Sequence, residues 1–203
     1  MASEGASNYS QAAQFFLATV ERVRPDQWDS PGLGEWSVRD LVGHTGRSFV
    51  TVETYLAQPA ERVERADAVE YYVTALSTFG NPAEVAQRGR DAGAALGPDP
   101  LGVLREQAGR ALELVAASDG ERLLTTLAGG MRLRDYLQTR VFELVVHTLD
   151  LAAALGAAVE PPAEPLALCV ELAARLALRR GDGPVVLHAL TGRRGLPPGF
   201  SVV

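Results

Sequence analysis

The chain has 203 residues, of which 47% are hydrophobic and 6% aromatic, enough for one mainly aliphatic core with a small appendage. Its formal net charge of -6 argues against nucleic acid or an anionic membrane as a partner. The single cysteine, Cys169, excludes an intramolecular disulfide and a metal site built from several cysteines. The sequence has neither a signal-like start nor an apolar run long enough to cross a bilayer, so we expect a cytoplasmic protein.

Apolar residues at helical spacing predict three long helices in the first part of the chain. The first covers residues 10–24 and is followed by Pro25. The second covers residues 37–56 and begins with a capping box formed by Ser37 and Asp40. The third covers residues 101–117, after the helix-start signal Asp99-Pro100. These helices predict a bundle.

The stretches between the long helices are less regular. We predict a helix over residues 68–78 and another short helix that begins at Asn81-Pro82. A loop that contains Gly129-Gly130 leads to the last helix of the bundle, residues 133–155, with Gly156 as its C-cap.

The helix over residues 133–155 is apolar nearly all the way round, which is typical of a buried helix. One narrow stripe is polar, because a helix has about 3.6 residues per turn. It consists of Tyr136, Arg140, Glu143, His147 and Asp150. A buried carboxylate and imidazole are costly unless they are paired or bind a metal. The stripe therefore indicates either a buried Glu–His hydrogen bond that fixes packing or a metal site.

After Gly156 the character of the sequence changes. A proline-rich linker precedes a helix over residues 166–180, and residues 184–190 and 198–203 are predicted to be two strands. The predicted fold is mainly α: a four-helix bundle over residues 1–156, followed by a small α/β tail over residues 157–203 with one short helix and two strands.

The residues themselves suggest one metal constellation: His44, Glu143 and His147. Glu143 and His147 are one helical turn apart, so both side chains leave the same face of their helix. His44 lies on the second helix, beside its apolar stripe. Two histidines and one carboxylate leave a coordination position open, as in catalytic rather than structural zinc sites. This hypothesis assumes that the two helices are adjacent.

Two further residues of the polar stripe have open roles. Arg140 either orients the carboxylate of Glu143 or binds an anionic substrate. Asp150 either accepts a hydrogen bond from the N–H of a metal-binding imidazole or serves only as a solvated charge near the helix end.

Simple structural roles are expected for the other candidates. Trp28 and Trp36 are interpreted as anchors of the connector between the first two helices. Cys169 is interpreted as a buried small hydrophobic residue and His188 as a packed histidine of a strand.

Two segments carry a resemblance to a known family. Trp36-Ser-Val-Arg-Asp-Leu-Val-Gly-His44, followed by Arg140-x-x-Glu143-x-x-x-His147-x-x-Asp150, resembles the mycothiol-dependent maleylpyruvate isomerase family. That family belongs to the DinB-like metal-binding helix bundles. The resemblance extends over residues 15–156 and is weak over residues 59–97. It implies a DinB-like four-helix bundle in which His44, Glu143 and His147 bind zinc or another divalent metal.

The resemblance also implies a function. It suggests a zinc-dependent enzyme that uses a low-molecular-weight thiol such as mycothiol to isomerise a small electrophile or to transfer the thiol to it. The isomerases carry a full C-terminal α/β domain that supplies a catalytic arginine, and residues 157–203 are too few for that domain. Two alternatives stay open: a metal-assisted hydrolase, and a non-catalytic metal-binding bundle.

Overall fold

The computed structural model describes residues 4–79 and 81–203, which form eight α-helices and two short antiparallel hairpins. The helices are α1 (Glu4–Val20), α2 (Val38–Leu56), α3 (Ala68–Phe79), α4 (Pro82–Ala95), α5 (Pro100–Ala116), α6 (Leu133–Ala154), α7 (Ala163–Arg180) and α8 (Gly183–Leu190). The strands are β1 (Pro31–Leu33) paired with β2 (Trp36–Ser37), and β3 (Leu123–Thr126) paired with β4 (Gly129–Arg132). The predicted mainly helical fold is confirmed. No helix among the described residues is long and apolar enough to cross a membrane.

The core lies between α1, α2, α5 and α6, and α6 is its central helix. Large apolar side chains from these helices are fully buried, among them Phe16, Phe49, Leu104 and Leu144. Burial of such side chains is the main source of stability for helices packed in this way. Helix α6 is buried on most sides, as its sequence predicts, with α1, α2, α3 and α7 packed around it.

Local capping fixes where α2 begins. The backbone N–H of Asp40 donates to Ser37 Oγ at 3.2 Å, and the backbone N–H of Ser37 donates to Asp40 Oδ2 at 3.0 Å. This is the predicted capping box, and it sets the start of α2 directly after Trp36. The side chains of Asn81 and Asp99 cap α4 and α5, which confirms both predicted helix-start signals.

Helix α4 crosses the first half of α2 at very short range. A Cβ added to Gly43 would lie 2.3 Å from the backbone nitrogen of Gly93, so neither backbone leaves room for a side chain at Gly43. This close crossing brings α4 over the part of α2 that contains His44.

Two predictions in the first part of the chain are wrong. The first helix is Glu4–Val20 instead of residues 10–24, because its buried face begins at Asn8 and Tyr9. The predicted loop at Gly129-Gly130 is a hairpin, in which Leu124 pairs with Met131 and both are buried. Gly129 has φ +115, a conformation that favours glycine, and it opens the returning strand.

The predicted strands of the tail are also wrong. Residues 184–190 belong to α8, and residues 198–203 contain no strand. Gly181, with φ +88, ends α7, and Pro184 stands in the first turn of α8, where proline is well tolerated. His188 is therefore an exposed residue of a helix. Helix α7 adds Cys169, Leu172 and Leu176 to the bundle core, while the division into two domains after residue 156 stays a prediction.

Candidate metal centre

Helices α2 and α6 bring His44, Glu143 and His147 together, as the hypothesis required. One ligand atom from each residue lies within 4.8 Å of the other two. Glu143 Oε2 is 3.3 Å from His147 Nε2 and 4.0 Å from His44 Nε2. The two imidazole rings are 5.1 Å apart and nearly perpendicular. Two nitrogen donors and one oxygen donor thus converge from two adjacent helices.

The carboxylate of Glu143 is held in place by a residue that the sequence analysis missed. The hydroxyl of Tyr72, on α3, donates to Glu143 Oε1 at 2.7 Å, so Oε2 is the oxygen that faces the imidazoles. Burial alone raises the pKa of Glu143, but His147, Arg140 and the Tyr72 hydroxyl outweigh it and hold the pKa well below its usual range. Glu143 is therefore ionised.

Asp150 holds the second imidazole. Its Oδ2 is 3.0 Å from His147 Nδ1, which leaves His147 Nε2 directed at Glu143. Burial lowers the pKa of His147, but the interactions with Asp150 and Glu143 are stronger and raise it to about 9. Asp150 thus makes the predicted contact with the ring N–H of a histidine.

His44 lies in a different environment. Burial, reinforced by the charge of His147, lowers its pKa to about 4, so its imidazole is neutral. Its ring stacks on Trp36 with a centroid distance of 4.5 Å and an interplanar angle of 34°. Neutral imidazole is the form that binds metal ions.

Arg140 is buried, and no carboxylate of the described residues pairs with it. Its guanidinium lies over the rings of Tyr136 and Tyr71, at 5.0 and 5.7 Å from their centroids. It donates to the hydroxyls of Tyr71 and Thr139 at 3.3 and 3.0 Å. Among the described residues no carboxylate oxygen lies within 4.0 Å of it, so Arg140 does not form a direct ion pair with Glu143.

The three residues open onto a cavity of about 410 Å³, which is in the range of small-molecule sites. The walls carry three arginines, Arg47, Arg88 and Arg140, together with apolar side chains such as Phe142. The side chains of His44, Glu143 and His147 are 17–21% exposed, so a ligand in the cavity can reach them.

Several residues of this cavity were not predicted from the sequence, and only one of them carried a signal that could have identified it. Arg47 follows His44 by three positions, so helical spacing already placed it on the same face of α2. Tyr71 and Tyr72 come from α3, and nothing in the local sequence distinguishes them from ordinary core tyrosines.

The fold and the cluster define a class: a mainly helical, DinB-like bundle with a candidate His/Glu/His metal site. Within that class, residues 9–152 match the family described as the mycothiol maleylpyruvate isomerase N-terminal domain. This match covers more than half of the chain, and the protein belongs to that family. No curated protein and no solved structure is significantly similar to the chain.

Proposed function

We propose that the protein is a zinc-dependent enzyme that uses a low-molecular-weight thiol, mycothiol, to isomerise a small electrophile or to transfer the thiol to it. One observation carries the proposal: His44, Glu143 and His147 converge on the wall of a cavity large enough for small substrates. Membership of a family named for a mycothiol-dependent isomerase supports the choice of thiol.

The residues fit zinc by their chemistry. Two imidazoles and one carboxylate form a three-ligand set that leaves a position open for a substrate. His44 is neutral and Glu143 is ionised. Asp150 accepts a hydrogen bond from Nδ1 of His147, so Nε2 is the nitrogen that faces the metal position, and the proton that the raised pKa of His147 keeps on Nε2 has to leave when a metal binds. Other divalent metals that accept nitrogen and oxygen donors fit the same set.

A zinc ion at this site would favour the thiolate form of a bound thiol, which is the nucleophilic form. The thiol has to come from outside the chain. Cys169 is the single cysteine, its sulfur is buried 3.9 Å from the carbonyl oxygen of Val141, and burial raises its pKa to about 12. Such a thiol stays protonated and inaccessible, so a small-molecule thiol is the nucleophile in the proposal.

The arginines of the cavity indicate the class of the electrophile. Arg47, Arg88 and Arg140 line the space next to the candidate metal site, and guanidinium groups bind carboxylates well. Arg88 also pairs with Glu84 at 3.7 Å, so Arg47 and Arg140 are the main candidates. An unsaturated carboxylic acid, with maleylpyruvate as the first candidate, suits this charge. When a thiolate adds to its conjugated double bond, negative charge develops on the substrate. Arg140 and the Tyr71 hydroxyl, which are hydrogen-bonded to each other on the cavity wall, would stabilise that charge.

Turnover tests the proposal. Zinc-loaded protein is incubated with mycothiol and maleylpyruvate, and isomer and thioether products are followed by nuclear magnetic resonance. We expect turnover only when protein, zinc and thiol are all present, and a fall to the protein-free rate in His147→Ala. Ester or amide hydrolysis without thiol, and no reaction of the unsaturated acid, would contradict the proposal and favour a metal-assisted hydrolase.

A further inference from the structure

The three residues of the candidate metal site are supported in different ways. Metal-binding histidines usually donate their second ring N–H to a carboxylate, a carbonyl or water, which fixes the orientation of the ring. His147 follows this rule through Asp150, and Glu143 is held by Tyr72. His44 does not follow it: its Nδ1 is buried and has no hydrogen-bond partner among residues 4–79 and 81–203. Something else must orient this ring.

The indole of Trp36 covers the ring of His44. Their centroids are 4.5 Å apart with an angle of 34°, whereas the contact of Trp36 with His147 is longer, at 6.5 Å, and edge-on. Stacked aromatic rings at such distances attract each other and restrict rotation about the side-chain bonds. Trp36 thus stacks on one ligand and makes only a longer, nearly perpendicular contact with the other histidine.

Trp36 is itself held on several sides. It is 8% exposed, and its indole N–H donates to the carbonyl oxygen of Ala86 on α4 at 3.0 Å. Gly89, one turn further along α4, lies against the ring: a Cβ there would be 2.4 Å from the Cε2 atom of Trp36. The backbone of Trp36 is fixed by the β1–β2 pairing and by the capping box that starts at Ser37. The indole therefore has little freedom to move.

We infer that Trp36 is the positioning residue for His44, with ring stacking in place of the missing hydrogen bond, and that Gly89 sets the position of the indole. The inference rests on the proposed metal site. Without the indole, the His44 ring gains rotational freedom, and Nε2 is directed at the other two ligands for a smaller part of the time. A side chain at Gly89 displaces the indole and has the same effect.

The test compares zinc affinities, measured by competition with a chromophoric chelator. Loss of an outer-shell partner typically weakens metal binding 10–100-fold, so we expect Trp36→Leu to bind zinc at least about tenfold more weakly. Trp36→Phe keeps a smaller aromatic ring, and Gly89→Ala keeps the indole, so both should show intermediate losses.

Two matched controls separate positioning from general damage. Trp28→Leu removes the other tryptophan, which packs on Arg39 outside the cavity. Gly109→Ala adds a Cβ to a helix glycine where no heavy atom lies within 4 Å. Both controls should bind zinc like the wild type. Melting temperatures of the metal-free proteins show how much each change affects the fold alone.

A double-mutant cycle gives the sharpest result. If Trp36 acts through His44, then Trp36→Leu should change zinc affinity less than about twofold in a His44→Ala background, because the positioned ligand is gone. Equal losses in both backgrounds, or variants that bind like the wild type, overturn the inference and leave the proposed function standing. Wild-type protein that does not bind zinc overturns both.

Discussion

The contact between Tyr72 and Glu143 shows what a single residue contributes to this site. Its hydroxyl donates to one carboxylate oxygen and leaves the other oxygen facing His44 and His147. A carboxylate held in this way offers one oxygen in a fixed direction, so the cluster is organised before a ligand arrives.

Tyr72→Phe removes this donor and keeps the ring. We expect zinc affinity to fall about tenfold, because the carboxylate is no longer held in one orientation. The metal-free protein should lose about 1–3 kcal/mol of unfolding free energy, since a hydrogen bond to a charged group disappears. Chelator competition and denaturant unfolding measure the two effects.

The matched control is Tyr55→Phe. The hydroxyl of Tyr55 makes no hydrogen bond with the described residues, although its ring packs on Tyr136. Unchanged zinc affinity in Tyr72→Phe, or an equal loss in Tyr55→Phe, would show that the Tyr72 hydroxyl does not support the site.

At the scale of elements, the sequence predicted α1 to α7, with the wrong bounds for α1, but neither α8 nor the two hairpins. Helices α2, α5 and α6 carry long apolar stripes, and α2 and α5 also carry clear start signals, all of which depend on local sequence. The stretch 184–190 is too short for periodicity to separate strand from helix. It belongs to α8, and residues 198–203, its predicted partner, form no strand. The hairpin at Gly129 depends on burial of Leu124 and Met131, a tertiary effect.

The candidate site was predictable only in part, because some of its contacts depend on how the helices pack. The spacing of Glu143 and His147 lies within one helix, so sequence alone places them together. That His44 joins them depends on how α2 packs against α6, which the family resemblance suggested and spacing did not. Tyr72 arrives from α3, where the resemblance is weakest, and its role becomes visible only in three dimensions.

The crossing of α2 and α4 is an element contact that one added methyl group would disturb. Gly43→Ala places a Cβ 2.3 Å from the backbone of Gly93, which cannot move as a flexible side chain does. We expect a loss of about 1–3 kcal/mol in the free energy of unfolding, the typical cost of overpacking. Urea denaturation measures it.

Gly109→Ala serves as the comparison for this change too, because it lies in a helix with open space around it. It should stabilise the protein by about 0.5–1 kcal/mol, because alanine has less conformational freedom to lose than glycine. A Gly43→Ala protein as stable as Gly109→Ala would contradict the close crossing.

At the scale of the whole molecule, the core is complete without a metal. Most of the large, fully buried side chains come from α1, α2, α5 and α6, and the candidate site lies at the edge of this core beside a cavity. Removal of zinc by a chelator should therefore leave the helical circular dichroism intact and lower the melting temperature. At about 100 times its dissociation constant, zinc should add about 2.7 kcal/mol of stability. Loss of the helical signal on chelation would instead indicate a structural metal.

The central claim is that the cluster binds a metal with a position open to a thiol. Cobalt(II) accepts the same donors as zinc and absorbs visible light, so the cobalt-substituted protein reports on a new sulfur ligand. With Glu143 ionised, a divalent metal gives the site a formal charge of +1, which a thiolate neutralises. We predict that mycothiol produces a sulfur-to-cobalt charge-transfer band in the wild type and none in His147→Ala. A spectrum that neither mycothiol nor simpler thiols change would contradict the account.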